Sequence, residues 1–194
     1  MHKLTINRFR FHSLIVLILV GVNAQALHTR GNLRNHHSVK DYWGAFDESS
    51  GRLSTMGGLR TFGENRERAY VSAYVQIPAY GGYSHAGVVL GHRSLSFSQP
   101  DRSTAYLAVL HGGEGQFMVS LFDGLTDGHE MVRIPVPSSA GYLELDVDSG
   151  ELTVIFNGET LIQRSADRSL CGEWGIRGGS NAGAPIVISQ VHGG

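Results

Sequence analysis

Residues Tyr142–Ile162 read YLELDVDSGELTVIFNGETLI, and this stretch decides the fold. Its apolar residues alternate with polar or charged ones, which is the period of a strand that is buried on one face only. The sequence Asp148-Ser149-Gly150 favours a turn, because glycine accepts positive φ and aspartate can bond to the backbone ahead of it. Asn157-Gly158 is a strong signal for a tight hairpin. The stretch therefore predicts two linked hairpins that share an apolar face, and that face must pack against a second sheet.

The rest of the chain after residue 41 repeats this pattern of short strands separated by turns. Strands or strand pairs are predicted at Arg52–Phe62, Ala69–Ile77, Ala86–His92, Thr104–His111, Gln116–Asp123, Met131–Val136, Glu173–Arg177 and Ile186–Val191. Ser94–Ser103 and residues 178–183 are predicted to be loops. Nothing after residue 26 shows the i, i+3, i+4, i+7 apolar spacing of an amphipathic helix. The sequence therefore predicts an all-β sandwich.

Four motifs in this order resemble those of the concanavalin A-like lectin/glucanase superfamily, and in particular its laminin-G-like modules. They are a G-x-x-L-G strand at Gly87–Gly91, a tyrosine before apolar residues at Tyr106–Leu110, the double hairpin at Leu143–Gly158, and a late glycine-rich segment at Gly175–Gly179. The resemblance covers residues 42–192 and implies an antiparallel, two-sheet jelly-roll sandwich. Because one fold supports many functions, the resemblance by itself predicts a fold and not a ligand.

The first 26 residues have the pattern of a secretory signal peptide. Three basic residues precede the apolar run Leu14–Val22, and Ala24-Gln25-Ala26 offers a small-x-small cleavage site. Nine apolar residues are too few for a bilayer, which needs about 20, so no membrane span is expected after cleavage. Residues 27–41 are polar and are predicted to be a flexible leader before the domain at 42–192.

The charge of the chain argues against a nucleic acid as partner. Residues 1–26 contain three basic residues and no acidic one, so their removal would leave 13 basic and 17 acidic residues and a formal charge of −4. Nucleic acids and anionic membranes both reward clustered Lys and Arg. The predicted partner is a carbohydrate or a glycoprotein.

A glycine-rich loop, residues 80–85, carries the best candidate for a binding face. Sugar rings present apolar C–H faces together with hydroxyl groups, so their sites pair an aromatic ring with a few polar groups. The loop supplies both, and polar residues at predicted strand ends extend the set. The candidate ligand-binding residues are Tyr80, Tyr83, His85, His92, Arg93, His111 and Arg177. The alternative is that the tyrosines only pack on the edge of the sandwich.

A catalytic site is the sharpest alternative function. Glu144, Asp146 and Asp148 resemble the Glu-x-Asp-x-Glu strand of laminarinase-type glucanases. A retaining glycosidase needs its two carboxylates about 5–5.5 Å apart, whereas residues i and i+4 of a regular strand lie about 13 Å apart. The third position is the shorter aspartate and lies at a turn. The sequence therefore assigns no catalytic residue.

Asp123 and Asp127 flank a predicted turn and are the candidate metal ligands. Their carboxylates are the hard oxygen ligands that Ca²⁺ prefers, although two carboxylates fall short of a full coordination shell. Asp-Gly at 123–124 is also ordinary turn chemistry. Calcium is thus a possible cofactor and no other cofactor is predicted.

Together these observations predict a secreted, non-catalytic glycan-binding or extracellular adhesion module. A divergent glycoside hydrolase or lyase of the laminarinase-like type is the first alternative. A secreted protein that binds another protein is the second.

Overall fold

The computed structural model describes residues 39–64, 69–96, 99–103, 105–124, 129–166, 170 and 172–194. Every regular element in these residues is a β-strand, which confirms the all-β prediction. No helix among the described residues has the length and apolar character that crossing a membrane requires. The predicted signal peptide lies outside the described residues. In chain order the strands are β1 (Lys40–Gly44), β2 (Asp47–Ser49), β3 (Arg52–Thr55), β4 (Gly57–Glu64), β5 (Ala69–Gln76), β6 (Ser84–His92), β7 (Ser94–Ser96), β8 (Gln99–Ser103), β9 (Tyr106–Gly113), β10 (Gln116–Asp123), β11 (His129–Val136), β12 (Ala140–Asp148), β13 (Glu151–Phe156), β14 (Glu159–Ser165), β15 (Glu173–Ser180) and β16 (Ile186–Gly193).

Two antiparallel seven-stranded sheets form the sandwich. Sheet A has the order β1-β4-β15-β6-β9-β10-β11, and sheet B has the order β14-β13-β12-β5-β16-β3-β2. Strands β7 and β8 pair only with each other. The chain therefore crosses between the sheets several times, and strands distant in sequence become neighbours.

The inner faces of both sheets bury the alternating apolar residues. Leu143, Leu145 and Val154 of sheet B are fully buried, as predicted from their alternation. They share one core cluster with Val88, Leu110 and Trp174 of sheet A. Burying an aliphatic or aromatic side chain of this size stabilises a fold by roughly 1.5–3 kcal/mol, so this layer holds the two sheets together.

The double hairpin β12–β13–β14 forms as its sequence predicts. Asn157 and Gly158 both have positive φ, 52° and 83°, as a tight two-residue hairpin turn requires. The Asn157 side-chain oxygen also accepts a hydrogen bond from the Tyr142 backbone N–H at 2.9 Å, and the Asn157 N–H donates to the Tyr142 carbonyl at 2.8 Å. A Cβ at Gly141 would lie 2.5 Å from that Asn157 oxygen, so glycine is required where the turn folds back on β12.

Two sequence predictions about connections are wrong. Ser94–Ser103, predicted as a loop, contains the hairpin β7–β8; its many polar residues and Pro100 favoured a loop, although Leu95 and Phe97 alternate with serines. The strand pair predicted over Arg52–Phe62 consists of two strands in opposite sheets, β3 beside β16 and β4 beside β15. Local sequence does not show which distant strand provides the hydrogen bonds.

The loop predicted at residues 178–183 begins too early, because β15 continues to Ser180. A Cβ at Gly178 would lie 2.7 Å from the Ile186 side chain, and one at Gly179 would lie 2.8 Å from the His85 ring. These glycines are present because neighbouring side chains pack against the strand, and not because the chain turns there.

The buried carboxylate of Glu173 links β1 to its neighbours in sheet A through hydrogen bonds. The Glu173 carboxylate accepts hydrogen bonds from Tyr42 Oη at 2.7 Å, from Thr61 Oγ1 at 2.8 Å and from the Lys40 ammonium group. Burial by itself would raise the pKa of Glu173, but these hydrogen bonds outweigh burial and hold the pKa below its ordinary value. Burial and the adjacent Glu173 charge raise the pKa of Tyr42 to about 12, so its hydroxyl stays a donor.

We expect Glu173→Gln to destabilise the fold by about 1–3 kcal/mol, because the amide keeps the shape but loses the charge that these donors require. Urea unfolding measures this loss. The lowered pKa of Glu173 makes its contribution full above the carboxyl pKa of the unfolded chain, and the contribution is lost as pH falls through the folded pKa. The difference between wild type and variant should therefore shrink at acid pH; an unchanged difference would contradict the assignment.

Candidate functional site

The outer face of sheet A carries a row of polar side chains near one end of the sandwich. The register places Gly179 opposite His85, His85 opposite His111, and His111 opposite Met118, across strands β15, β6, β9 and β10. Ala86 and Leu110, the chain neighbours of the two histidines, point into the core and are fully buried. Strand alternation therefore directs both imidazoles outward.

A groove of about 440 Å³ lies beside this row. Its volume falls in the range of about 300–1,000 Å³ that is usual for small-molecule sites. Both apolar and polar side chains contribute to its lining. The lining residues are Gly82, Tyr83, His111, Gly112, Gly113, Glu114, Gln116, Met118, Phe122, Glu130 and Arg133.

The glycine-rich loop before β6 places Tyr83 at the mouth of the groove. Gly81 and Gly82 have φ of 92° and 126°, and a Cβ on either would come within 2.7–3.0 Å of the carbonyl oxygens of Ala182 and Asn181. The loop therefore rests directly on the β15–β16 connection, which a larger residue would prevent. The Tyr83 ring remains 52% exposed, and it lies 5.8 Å from the His111 ring between centroids.

A continuous chain of hydrogen bonds runs from the groove mouth along its wall. Tyr83 Oη lies 3.2 Å from His111 Nδ1, His111 Nε2 lies 2.7 Å from Ser120 Oγ, and Ser120 Oγ donates to Glu130 at 2.7 Å. Arg133 donates to both Glu130 oxygens, at 2.8 and 2.5 Å. The Arg133 hydrogen bonds hold the pKa of Glu130 below its ordinary value, against the opposing effect of burial.

This chain fixes the tautomer of His111. Ser120 has one hydroxyl proton, and Glu130 accepts it, so Ser120 Oγ accepts from His111 Nε2–H. Burial, with a smaller contribution from Arg133, lowers the pKa of His111 and so favours the neutral ring. Its Nδ1 is then an acceptor for the Tyr83 hydroxyl, and both lone pairs of that hydroxyl oxygen remain for a ligand.

His85 and Arg177 flank the groove on its other side. Burial, the positive charge of Arg177 and the neighbouring His111 together lower the pKa of His85 to about 4. The Nε2 atom of His85 is buried and forms no hydrogen bond with any described residue. The Arg177 guanidinium lies 5.7 Å from the centre of the Trp43 ring, a cation–π distance. A neutral imidazole is thus held beside a fixed positive charge.

The structure separates the predicted ligand-binding residues into two sets. Tyr83, His85, His111 and Arg177 come together on the outer face of sheet A. Tyr80 is 73% exposed but does not line the groove. His92 and Arg93 lie at the far end of β6, about 23 Å from His85 by strand rise.

His92 lies apart from the residues on the outer face of sheet A. It is only 1% exposed and packs edge-on against Tyr42 at 4.4 Å between ring centroids. It therefore belongs to the surroundings of Glu173. His85 and His111 lie opposite each other on neighbouring strands, whereas β6 carries His92 to the opposite end of the sheet.

Sequence reasoning missed Glu130 and Arg133, which line the groove, and Ser120, the buried residue that links them to His111. They lie on β10 and β11, and the sequence predicted these two strands from their apolar residues alone. Residues i and i+3 of a regular strand point to opposite faces, so the spacing of Glu130 and Arg133 does not predict that the two side chains meet. A β-bulge between Leu121 and Phe122 shifts the pairing of β10 with β11.

The acidic triplet lies on the other sheet. Glu144 and Asp146 point outward from β12, and Asp148 is exposed at its end. The register of β12 with both neighbours is continuous, without a bulge. Regular strand geometry therefore keeps Glu144 and Asp148 about 13 Å apart, too far for a retaining pair.

The calcium prediction concerns Asp123, which ends β10, and Asp127, which lies outside the described residues. Within the described ranges, no three His, Cys, Asp or Glu side chains are close enough to hold a metal. The prediction for Asp123 and Asp127 stays a prediction.

No protein-family model matches the chain, and no curated protein matches it. Solved structures do match. The carbohydrate-binding module CBM66 from Bacillus subtilis has a TM-score of 0.62 at 10% identity, over 82% of this chain and 96% of that chain. The Emp47p carbohydrate recognition domain has a TM-score of 0.60 at 9% identity, over 84% and 92%. A glycosidic hydrolase has a TM-score of 0.50 at 6% identity, over 76% and 79%.

The chain has the concanavalin A-like jelly-roll fold. The two antiparallel sheets and these neighbours confirm the fold that the four sequence motifs predicted. At these identities the likeness concerns the jelly roll alone; the laminin-G-like assignment within it stays a prediction.

We expect His85 to titrate near pH 4 and His111 to have a pKa below its ordinary value, with the His111 proton on Nε2. Long-range proton–nitrogen NMR spectra of the imidazole rings measure both properties. Since both folded pKa values lie below the ordinary value of about 6.5, protonation favours the unfolded chain, and stability falls as pH drops below about 6.5.

Ser120→Ala is the matched variant, because it removes the acceptor of Nε2–H and should increase the Nδ1–H form of His111. A His111 resonance that reports the Nδ1–H form in wild type would contradict the hydrogen-bond chain.

Proposed function

We propose that this jelly roll is a carbohydrate-binding module that holds a glycan in the groove between Tyr83 and Arg133, without cleaving it. The observation that supports this most is the ordered chain Tyr83–His111–Ser120–Glu130–Arg133, which holds an exposed aromatic ring and a set of polar groups around one groove. Two of the structural neighbours are themselves described as a carbohydrate-binding module and a carbohydrate recognition domain.

The groove offers the two kinds of contact that a sugar needs. The half-exposed Tyr83 ring, together with Met118 and Phe122 of the groove lining, provides apolar surface for the C–H face of a sugar ring. The Tyr83 oxygen, Gln116 and Arg133 provide acceptors and donors for hydroxyl groups. Since the hydrogen-bond chain already orders Tyr83, little side-chain entropy remains to be lost when a ligand binds.

The same chain makes the groove a poor place for glycoside hydrolysis. A general acid needs a carboxyl group with a raised pKa, whereas Arg133 and Ser120 hold the pKa of Glu130 low. The other carboxylate that lines the groove, Glu114, lies in the tight turn between β9 and β10 at φ 52°. This supports binding over catalysis.

We expect Tyr83→Ala to weaken glycan binding by about tenfold or more, which is about 1.4 kcal/mol, because the variant removes the apolar platform. Tyr83→Phe should lose less, since it keeps the ring and removes only the hydroxyl. A glycan array identifies the ligand, and isothermal titration calorimetry measures the affinity.

Tyr80→Ala serves as the control, because Tyr80 is in the same loop but does not line the groove, and its affinity should stay within about threefold of wild type. Thermal unfolding checks that each variant folds. The proposal fails if wild type binds no glycan. It also fails if wild type releases reducing sugar from a polysaccharide and Glu130→Gln or Glu144→Gln stops that release.

We further propose that the module works outside the cell, on the basis of the signal pattern in residues 1–26. Expression in a secreting host should deliver a protein to the medium that begins at Leu27, because cleavage is expected after Ala26. Mass spectrometry of the amino-terminal peptide measures this. A full-length protein retained inside the cell would contradict the proposal.

A further inference from the structure

A second groove, of about 350 Å³, lies on the opposite surface of the sandwich, on the outer face of sheet B. Its residues come from the β2–β3 turn and from strands β3, β5, β12 and β16. They are Ser50, Gly51, Arg52, Tyr74, Tyr142, Ser189 and Gln190. Four of them form one straight row across the sheet, because Tyr142 is opposite Tyr74, Tyr74 opposite Ser189, and Ser189 opposite Arg52. Three strand spacings make this row about 14 Å long.

An aromatic pair stands at one end of the row. Tyr142 is 47% exposed, and its ring meets Tyr74 edge to face, with centroids 5.3 Å apart and an angle of 70°. With this contact in place, nearly half of the Tyr142 surface stays exposed to solvent. An exposed tyrosine ring held in place by a second ring is suited to the C–H face of a sugar.

A β-bulge in β16 adds an amide to this aromatic pair. The register with β5 breaks between Ser189 and His192, and Gln190 has φ of 52°. Ser189 and Gln190 therefore both lie on the outer face, and Val191 returns to the core. Without the bulge, alternation would direct Gln190 inward.

The bulge brings Gln190 to Tyr142, whose hydroxyl donates to the amide oxygen. The two N–H donors of the amide and the second lone pair of its oxygen are then its remaining hydrogen-bonding capacity. A left-handed backbone is unfavourable for a residue with a Cβ, and such strain, like β-bulges, is concentrated at functional sites.

We propose that this sheet B groove is a second glycan-binding site. Of its seven lining residues, all described, none carries a carboxylate, and Arg52 at one end of the row is the one cationic side chain among them. Tyr142 offers the platform, and Ser50, Ser189 and the Gln190 amide offer uncharged partners for sugar hydroxyls. The inference rests on the proposed function for the ligand class, and it uses different residues on a different sheet.

With a groove on each outer face, the protein can bind two glycan chains at once, which one site cannot do. The two sheets are packed face to face about 10 Å apart, and the grooves lie on their two outer faces. They therefore point in opposite directions, and one extended sugar chain does not reach both. The protein should cross-link two glycan chains.

Native affinity electrophoresis in gels containing laminarin, hydroxyethyl cellulose, xylan or galactomannan tests this, with turbidity of the same solutions as the second readout. The proteins are the full chain, Tyr83→Ala, Tyr142→Ala and the double variant. Gln163→Ala, which changes an exposed amide on the same sheet outside the groove, is the matched control.

We expect one of these polysaccharides to retard the wild type and to become turbid with it. Each single variant should bind about threefold or more weakly and lose the turbidity, and the double variant should not be retarded. Gln190→Gly separates binding from folding, because glycine relieves the positive φ and should leave Tm equal or higher, while the loss of the amide still weakens binding in the Tyr83→Ala background.

If Tyr142→Ala and Gln190→Gly bind like Gln163→Ala in that background, the second site is overturned and the first stands. If Tyr142→Ala abolishes binding and Tyr83→Ala has no effect, the sheet B groove is the glycan site and the groove on sheet A is not. If none of the four polysaccharides and no array glycan binds the wild type, both are overturned.

Discussion

Two apolar sheet faces must be buried against each other, and the positions of all outward side chains follow from this constraint. In a strand the side chains alternate strictly, so a slip of one residue would exchange the core face with the solvent face. Val71, Val88 and Leu145 are fully buried at the shared interface. Their burial fixes the register of β5, β6 and β12, and thereby places His85 on one surface and Tyr74 on the other.

Polar chemistry on the outer face of sheet A depends on close approaches that only glycine permits. The His85 ring lies over Gly179, and the loop that ends in Tyr83 rests on the carbonyls of Asn181 and Ala182. A substituted backbone at these points would displace the ring or the loop by more than a hydrogen bond tolerates. The glycines allow three separate segments to pack closely together, and this brings Tyr83 within hydrogen-bond distance of His111.

The hydrogen-bond chain of the sheet A groove and the Glu173 cluster use the same physics for different purposes. In both, a carboxylate with a lowered pKa gathers donors in a partly buried site. The Glu173 cluster ties the first strand to the sheet. The chain through Glu130 orders groups that face a groove, and its directionality follows from the single proton of Ser120. A fully satisfied polar network of this kind keeps a surface rigid before a ligand arrives.

The sequence alone determined the elements whose signals are local. The alternation over Tyr142–Ile162 and the Asn157-Gly158 turn specify the double hairpin, because period and turn chemistry depend only on neighbours in the chain. The glycine-rich sequence of residues 80–85 likewise predicted Tyr83 to be an exposed aromatic residue. Tertiary structure decided which strands became neighbours, since backbone hydrogen bonds do not distinguish one partner strand from another. It therefore brought Ser120 and Glu130 to His111, separated His92 from His85, and turned Gln190 outward through a bulge.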